Sequence, residues 1–206
     1  QLSSLTTTQL LGLSSAQIGA LTTTQMAGLG SAQIGGLTTT QITSITGSAL
    51  FQSLTATQVV GLTTGQIQAL TTTQIGWLIQ TQVQALTTTQ VSSLASVELA
   101  ALTTTQMSAL SAVQISALTT AQVPFLSTGN LRVMTSTQIA ALSGAQLDNL
   151  LTTQVQAIAT TWTTTTAADS TGQTAWSSAG LTSTQITAIK SNGIVGPIST
   201  LFGSTS

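Results

Sequence analysis

The 206-residue chain has no cysteine, no histidine and no tyrosine. Without thiols there is no disulfide framework, and without thiols or imidazoles the usual metal ligands and the commonest acid–base group are missing. Charge is nearly absent too. Glu98, Arg132, Asp148, Asp169 and Lys190 are the whole set, 2% of residues with a net charge of −1, against about 25% in ordinary soluble domains. Five scattered charges make neither a basic face for nucleic acid or anionic lipid nor an acidic tail. Three carboxylates far apart in sequence form no catalytic pair, and the many Ser and Thr hydroxyls lack a base to activate them. The chain is therefore read as a non-enzyme, with no catalytic residue, no metal site and no cofactor. Long apolar runs are lacking as well. Mean hydropathy is +0.43, but Ser, Thr or Gln interrupts every run well short of the ~20 residues a membrane-spanning helix needs.

What is present is one phrase of eight residues, Leu-[Ser/Thr]-[Ser/Thr]-x-Gln-[Ile/Val/Leu/Met]-x-small, repeated from Leu5 to Ala157. It reads LTTTQLLG from Leu5, LTTTQMAG from Leu21, LTTTQVSS from Leu86 and LSGAQLDN from Leu142. A fixed short period marks a repeat architecture, whose units bury their apolar faces only against one another. Position 2 is a hydroxyl residue and position 5 is Gln, the spacing of a capping box: the hydroxyl accepts from the position-5 N–H, and the Gln side chain accepts from the position-2 N–H. Positions 1 and 6 then fall where a hydrophobic staple closes a helix start. The next Leu, three residues past position 6, shares its face.

Each octad thus reads as one helix of about two turns, roughly 10 Å long, restarted at every hydroxyl and stable only when stacked. Glu98, at position 5 of LASVELAA, reads as the other residue a capping box accepts. The alternative is a β-solenoid, since Thr, Ile and Val favour strands. Strict alternation would put positions 1 and 6 on opposite faces, however, leaving one of them in water unless every unit bends. The expected fold is an all-α solenoid of very short capped helices. TTTQ octads alternate with SSAQ, GSAQ, TTGQ, ASVE or SAVQ ones, which points to a 16-residue helix-turn-helix layer with Thr rows along one side.

Along the chain, Gln1-Leu2-Ser3-Ser4 fill positions 5 to 8, as expected of a processed product or a fragment of something longer. Five octads lead to a nine-residue unit at Ile45, and thirteen more octads follow to Ile158. The extra residue near Gly47 and Phe51 is expected to bulge at a turn. Trp77 and Phe125 occupy the usually small position 8, as core plugs or as subunit contacts. Pro124 removes a helical N–H, and with Gly129 and Asn130 downstream it predicts a kink over 124–131. Arg132 and Asp148 hold the variable position 7, expected to face solvent. The expected organisation is an octad solenoid over 1–158, a Thr- and Trp-rich excursion over 159–180, read as a two-stranded element or long loop, and a last unit with a capping or docking segment over 181–206. Candidate subunit contacts are Trp77, Phe125, Trp162, Trp176, Ile194, Val195, Ile198, Leu201 and Phe202. GLGSAQIGG at 28–36 belongs to the repeat and lacks the Lys of a phosphate loop.

The phrase is similar to the LTPEQV opening of the repeats in TAL effectors, but those repeats are far longer and basic, so DNA binding does not carry over. More broadly, residues 5–157 resemble the tandem LTTxQIxAL-type repeats of large secreted bacterial surface and adhesin-like proteins. That resemblance implies a structural role outside the cell or at its surface. With so little charge to keep copies apart, the expected function is a subunit of an extracellular self-assembling filament, tube or sheath. Its partners would be copies of itself, with no nucleic acid and no membrane span. The alternative is an adhesin stalk or surface-binding module whose Thr rows face a glycan or ice.

Overall fold

A computed structural model describes residues 2–163, with side chains from Ser3 to Ile158. The described residues are helical throughout, with short extended links and no strand. The chain is an all-α solenoid of short helices, one per octad, and the β-solenoid alternative is set aside. It divides into two compact units, Gln1–Leu110 and Ser111–Ser206.

In the first unit a 3-10 turn at Leu2–Ser4 precedes thirteen α-helices. These are α1 (Thr7–Leu11), α2 (Ser15–Gly19), α3 (Thr23–Ala27), α4 (Ser31–Gly36), α5 (Thr39–Thr43), α6 (Ser48–Gln52), α7 (Ala56–Gly61), α8 (Thr64–Ala69), α9 (Thr72–Trp77), α10 (Gln80–Ala85), α11 (Thr88–Ser93), α12 (Ser96–Ala100) and α13 (Thr104–Ala109). In the second unit α14 (Ala112–Ser116) is followed by a 3-10 turn at Val123–Phe125, then α15 (Thr128–Val133), α16 (Ser136–Ala140), α17 (Gly144–Asp148) and α18 (Thr152–Thr163).

The local reason for most of the helices is the expected one. At α5, the backbone N–H of Gln41 donates to Thr38 Oγ1 at 3.1 Å while the Thr38 N–H donates to Gln41 Oε1 at 2.8 Å. Thr38 itself is extended, with φ −70° and ψ 158°, as an N-cap should be. The same box closes α1, α8 and α13. Helices end at position 8, as α1 does at Gly12, or where the next octad's Leu goes extended, as at Leu37, whose N–H bonds Ile34 O at 3.2 Å. Positions 1 and 6 form the core: Leu37, Ile42, Leu70, Ile75, Leu102 and Met107 are all buried.

The stacking differs from expectation. Each helix of the first unit packs on the helix three along, not two. Three columns result, α1·α4·α7·α10·α13, α2·α5·α8·α11 and α3·α6·α9·α12. One turn of the coil is therefore three octads, 24 residues, in place of the expected 16-residue layer. A two-helix layer would press each apolar face against one neighbour only; three helices close a ring around positions 1 and 6. The correction reaches the Thr rows. TTTQ octads recur every 16 residues from Leu5 to Leu37 and again from Leu70 to Leu102 while the coil closes every 24, so α1, α3, α5, α9, α11 and α13 place two Thr-rich octads in each column and no side collects them all.

Other expectations are settled locally. The extra residue of the long unit sits in the link between α5 and α6, where Ser44, Ile45, Thr46 and Gly47 replace the two or three residues of the other links in the first unit. Pro124 turns one octad's α-helix into a 3-10 turn, because its ring crowds the preceding helical turn. It does not change the coil's course: α14 still packs on α16 and α15 on α18, each three octads apart. α18 runs on to Thr163, so the expected excursion begins as helix.

Candidate functional site: a ladder of buried glutamines

The position-5 glutamine is the feature that sequence reasoning half missed. Its Oε1 serves its own helix start, and its Nε2 serves the turn below. Gln41 Nε2 donates to Leu10 O at 3.0 Å and Leu13 O at 2.8 Å. Gln66 Nε2 donates to Ile34 O at 2.9 Å and Leu37 O at 2.7 Å, and Gln106 Nε2 to Ile75 O and Leu78 O, both at 2.7 Å. The acceptors are a carbonyl near the end of a helix one turn down, which also takes the N–H of the linking Leu, and the carbonyl of that Leu, where a helix end runs short of donors. One amide therefore caps two helices, the start of its own and the end of another. Gln58, Gln66, Gln74, Gln82, Gln90 and Gln106 are all buried by this arrangement. Gln9, Gln17 and Gln25 of the first turn are exposed and make only the capping half.

The spacing of these bonds reports the register. Gln41 reaches back 31 and 28 residues. Gln58 and Gln74, whose reach spans the nine-residue unit, go back 32 and 29. By Gln82 the separations are 31 and 28 again. In the second unit Gln154 Nε2 donates to Val123 O, Pro124 O and Leu126 O at 3.1, 3.1 and 2.7 Å, so the Pro124 turn is accepted without a shift.

A signal for this second role was there to read. Gly30 and Ile79 have no hydroxyl to complete a capping box, yet Gln33 and Gln82 are kept three residues on. Gln33 donates to Leu5 O at 2.6 Å and Gln82 to Leu54 O at 2.8 Å.

Glu98 does not behave as expected. No capping box forms at α12, whose N-cap Ala95 offers no hydroxyl. Glu98 is buried, and its Oε2 lacks a hydrogen-bond partner. Arg132 and Asp148 are exposed, as position 7 predicted. Among the described residues no three of His, Cys, Asp and Glu stand together as a metal site would need, and no helix is long and apolar enough to cross a membrane.

The candidate contact residues separate. Trp77 is half-buried and packs on buried Phe51, ring centroids 6.2 Å apart and planes inclined by 58°. Phe125 is 51% exposed at the 3-10 turn. Trp162 stands in α18, and its side chain lies outside the described ones. Trp176, Ile194, Val195, Ile198, Leu201 and Phe202 lie outside the described residues altogether.

The family model of the ALTTAQ repeat matches residues 1–31. The chain carries this tandem LTTxQ-type repeat. The six-letter phrase itself stands at Ala117–Gln122, and its near-copy ALTTTQ falls within the matched stretch at Ala20–Gln25. No curated protein and no solved structure matches the chain.

Proposed function

We propose that this chain is a structural subunit of an extracellular filament, tube or sheath that assembles from copies of itself. One observation carries the reading. Glu98 is the one ionisable side chain between Gln1 and Leu110, and it is buried, so the outside of the first unit presents no charged side chain. Ordinary surfaces use charge of both signs to keep copies apart, and a surface without it promotes association. The glutamine ladder completes the picture. It satisfies helix ends from within, so the exterior can consist of small neutral groups, Thr, Ser, Ala and Gly, that let surfaces approach closely. The setting outside the cell follows from the resemblance to secreted surface-protein repeats.

The test is to give the surface charge. Thr39, Thr64 and Thr88 are exposed at position 3 of stacked helices α5, α8 and α11. The triple variant Thr39→Lys, Thr64→Lys, Thr88→Lys is expected to keep its helical circular dichroism and to remain monomeric in sedimentation, while the unaltered protein forms polymers visible by negative-stain electron microscopy. An unaltered protein that stays monomeric at high concentration ends this reading.

The same three hydroxyls favour the second reading, a stalk or module that binds a glycan or ice through its Thr side chains. A flat ordered ligand needs a broad array, however, and the Thr-rich octads are shared among three columns. A ligand affinity lost on Thr→Lys replacement, with assembly unchanged, favours the second reading over the first.

A further inference from the structure

In the first unit α12 starts without the usual side-chain ties. Ala95 supplies no capping hydroxyl, and no capping box forms. Glu98 is 6% exposed, and its Oε2 is the one buried side-chain oxygen or nitrogen without a hydrogen-bond partner among the described residues. The register shows what it faces. Gln90, one octad earlier, donates to Val59 O and Leu62 O, and Gln106, one octad later, to Ile75 O and Leu78 O. The octad between them sits over the carbonyls of Ile67 and Leu70. A carboxyl group has at most one hydrogen to give them, and none when ionised, where the glutamine amide has two. α6 also lacks a capping box, but its Phe51 is fully buried against Trp77 and leaves no polar atom stranded.

Any glutamine octad of this chain would fit the seat of α12 better than α12 does. It would bring Leu and Ile, Val or Met at positions 1 and 6, apolar like Leu94 and Leu99, and in addition an Nε2 donor for the two carbonyls. The incumbent's advantage is its covalent tether, and local opening removes that advantage for as long as the seat is empty. We propose that the Glu98 joint is the coil's exchange point: α12 lifts from α9 there, and a glutamine-bearing octad of a second copy of this chain takes the place it leaves. The exchange of equivalent octads between copies links them without a new kind of contact, as domain swapping does with identical elements. It rests on the self-assembly reading and names the joint through which assembly starts.

The experiment compares the full chain with Glu98→Gln, which supplies the missing donor, and with Ala95→Thr, which supplies the missing cap. Hydrogen exchange read by mass spectrometry is expected to slow about tenfold over 96–102 in Glu98→Gln, and in the same direction in Ala95→Thr, with little change at α2 or α5. The rate of polymer formation, followed by light scattering, is expected to fall about tenfold in Glu98→Gln. Equal exchange in the unaltered chain and Glu98→Gln overturns the opening. Slower exchange with unchanged polymerisation overturns the swap. If the unaltered chain forms no polymer at all, it is the self-assembly reading that fails, whereas a failure confined to the variant's polymerisation rate leaves that reading standing.

Discussion

The Nε2 of Gln106 lies 2.7 Å from the carbonyl oxygen of Leu78, 28 residues earlier and one turn of the coil below. Oε1 of the same amide accepts from the Thr103 N–H at 2.8 Å. A group with one donor end and one acceptor end, used at both ends, is what couples the 8-residue helix to the 24-residue turn. A carboxylate can imitate only the acceptor end.

That asymmetry makes Gln66→Glu informative. The variant keeps a capping-box acceptor but faces Ile34 O and Leu37 O with an acceptor and buries a charge. The expected loss is about 3 kcal/mol, read by urea unfolding. A loss no larger than that of an exposed Gln9→Glu control would show that the contact between turns adds nothing.

Neighbouring threonines should differ sharply. Thr63 caps α8, accepting from the Gln66 N–H at 3.2 Å, and Thr63→Ala is expected to cost about 1 kcal/mol. Thr64 next to it points to solvent, and Thr64→Ala should stay within about 0.5 kcal/mol. Parallel thermal melts of the two variants check the contrast.

Glycines divide in the same way. A Cβ at Gly35 would collide with Gly61 O, and one at Gly61 with Ser31 O, where α4 and α7 cross backbone to backbone. Gly35→Ala is expected to destabilise by about 1–3 kcal/mol. A Cβ at Gly76, within α9, meets nothing within 4 Å, so Gly76→Ala should stabilise by about 0.5–1 kcal/mol through helix propensity. Equal melting shifts of the same sign for both would contradict the close crossing.

Phe125 is exposed beside Pro124, so its removal costs the folded monomer little. Phe125→Ser is expected to shift the melting midpoint by less than about 0.5 kcal/mol in stability while weakening association in sedimentation. Unchanged association would strike Phe125 from the subunit contacts.

How far the fold could be read from the sequence follows from the range of each interaction. The box linking Thr38 and Gln41 spans three residues, so composition and spacing expose it; so does the pairing of Leu37 with Ile42 as core. The turn of the coil rests on contacts such as Gln66 with Leu37, 29 residues apart, which leave no mark at that distance because every octad offers the same acceptor. The alternation of TTTQ with other octads is visible and misleading: it suggests a 16-residue layer, whereas the ring closes at 24. Glu98 shows the remaining limit. Spacing made it a cap, and only the neighbouring turn, with two carbonyls and no donor, makes it a defect. Exposed hydroxyls at Thr39, Thr64 and Thr88 were legible as polar positions, but that their helices stack in one column was not.

The nine-residue unit at Ile45 shifts the backward reach of Gln58 and Gln74 by one and leaves that of Gln82 unchanged. The winding absorbs a lengthened link and then resumes its count. Because each octad asks only for some octad three places behind it, copying or deleting a single one re-pairs every later rung with an equivalent partner. Genes of this type can therefore drift in length by steps of 24 nucleotides rather than 72, and allelic variants of one such protein should differ by odd and even numbers of octads alike.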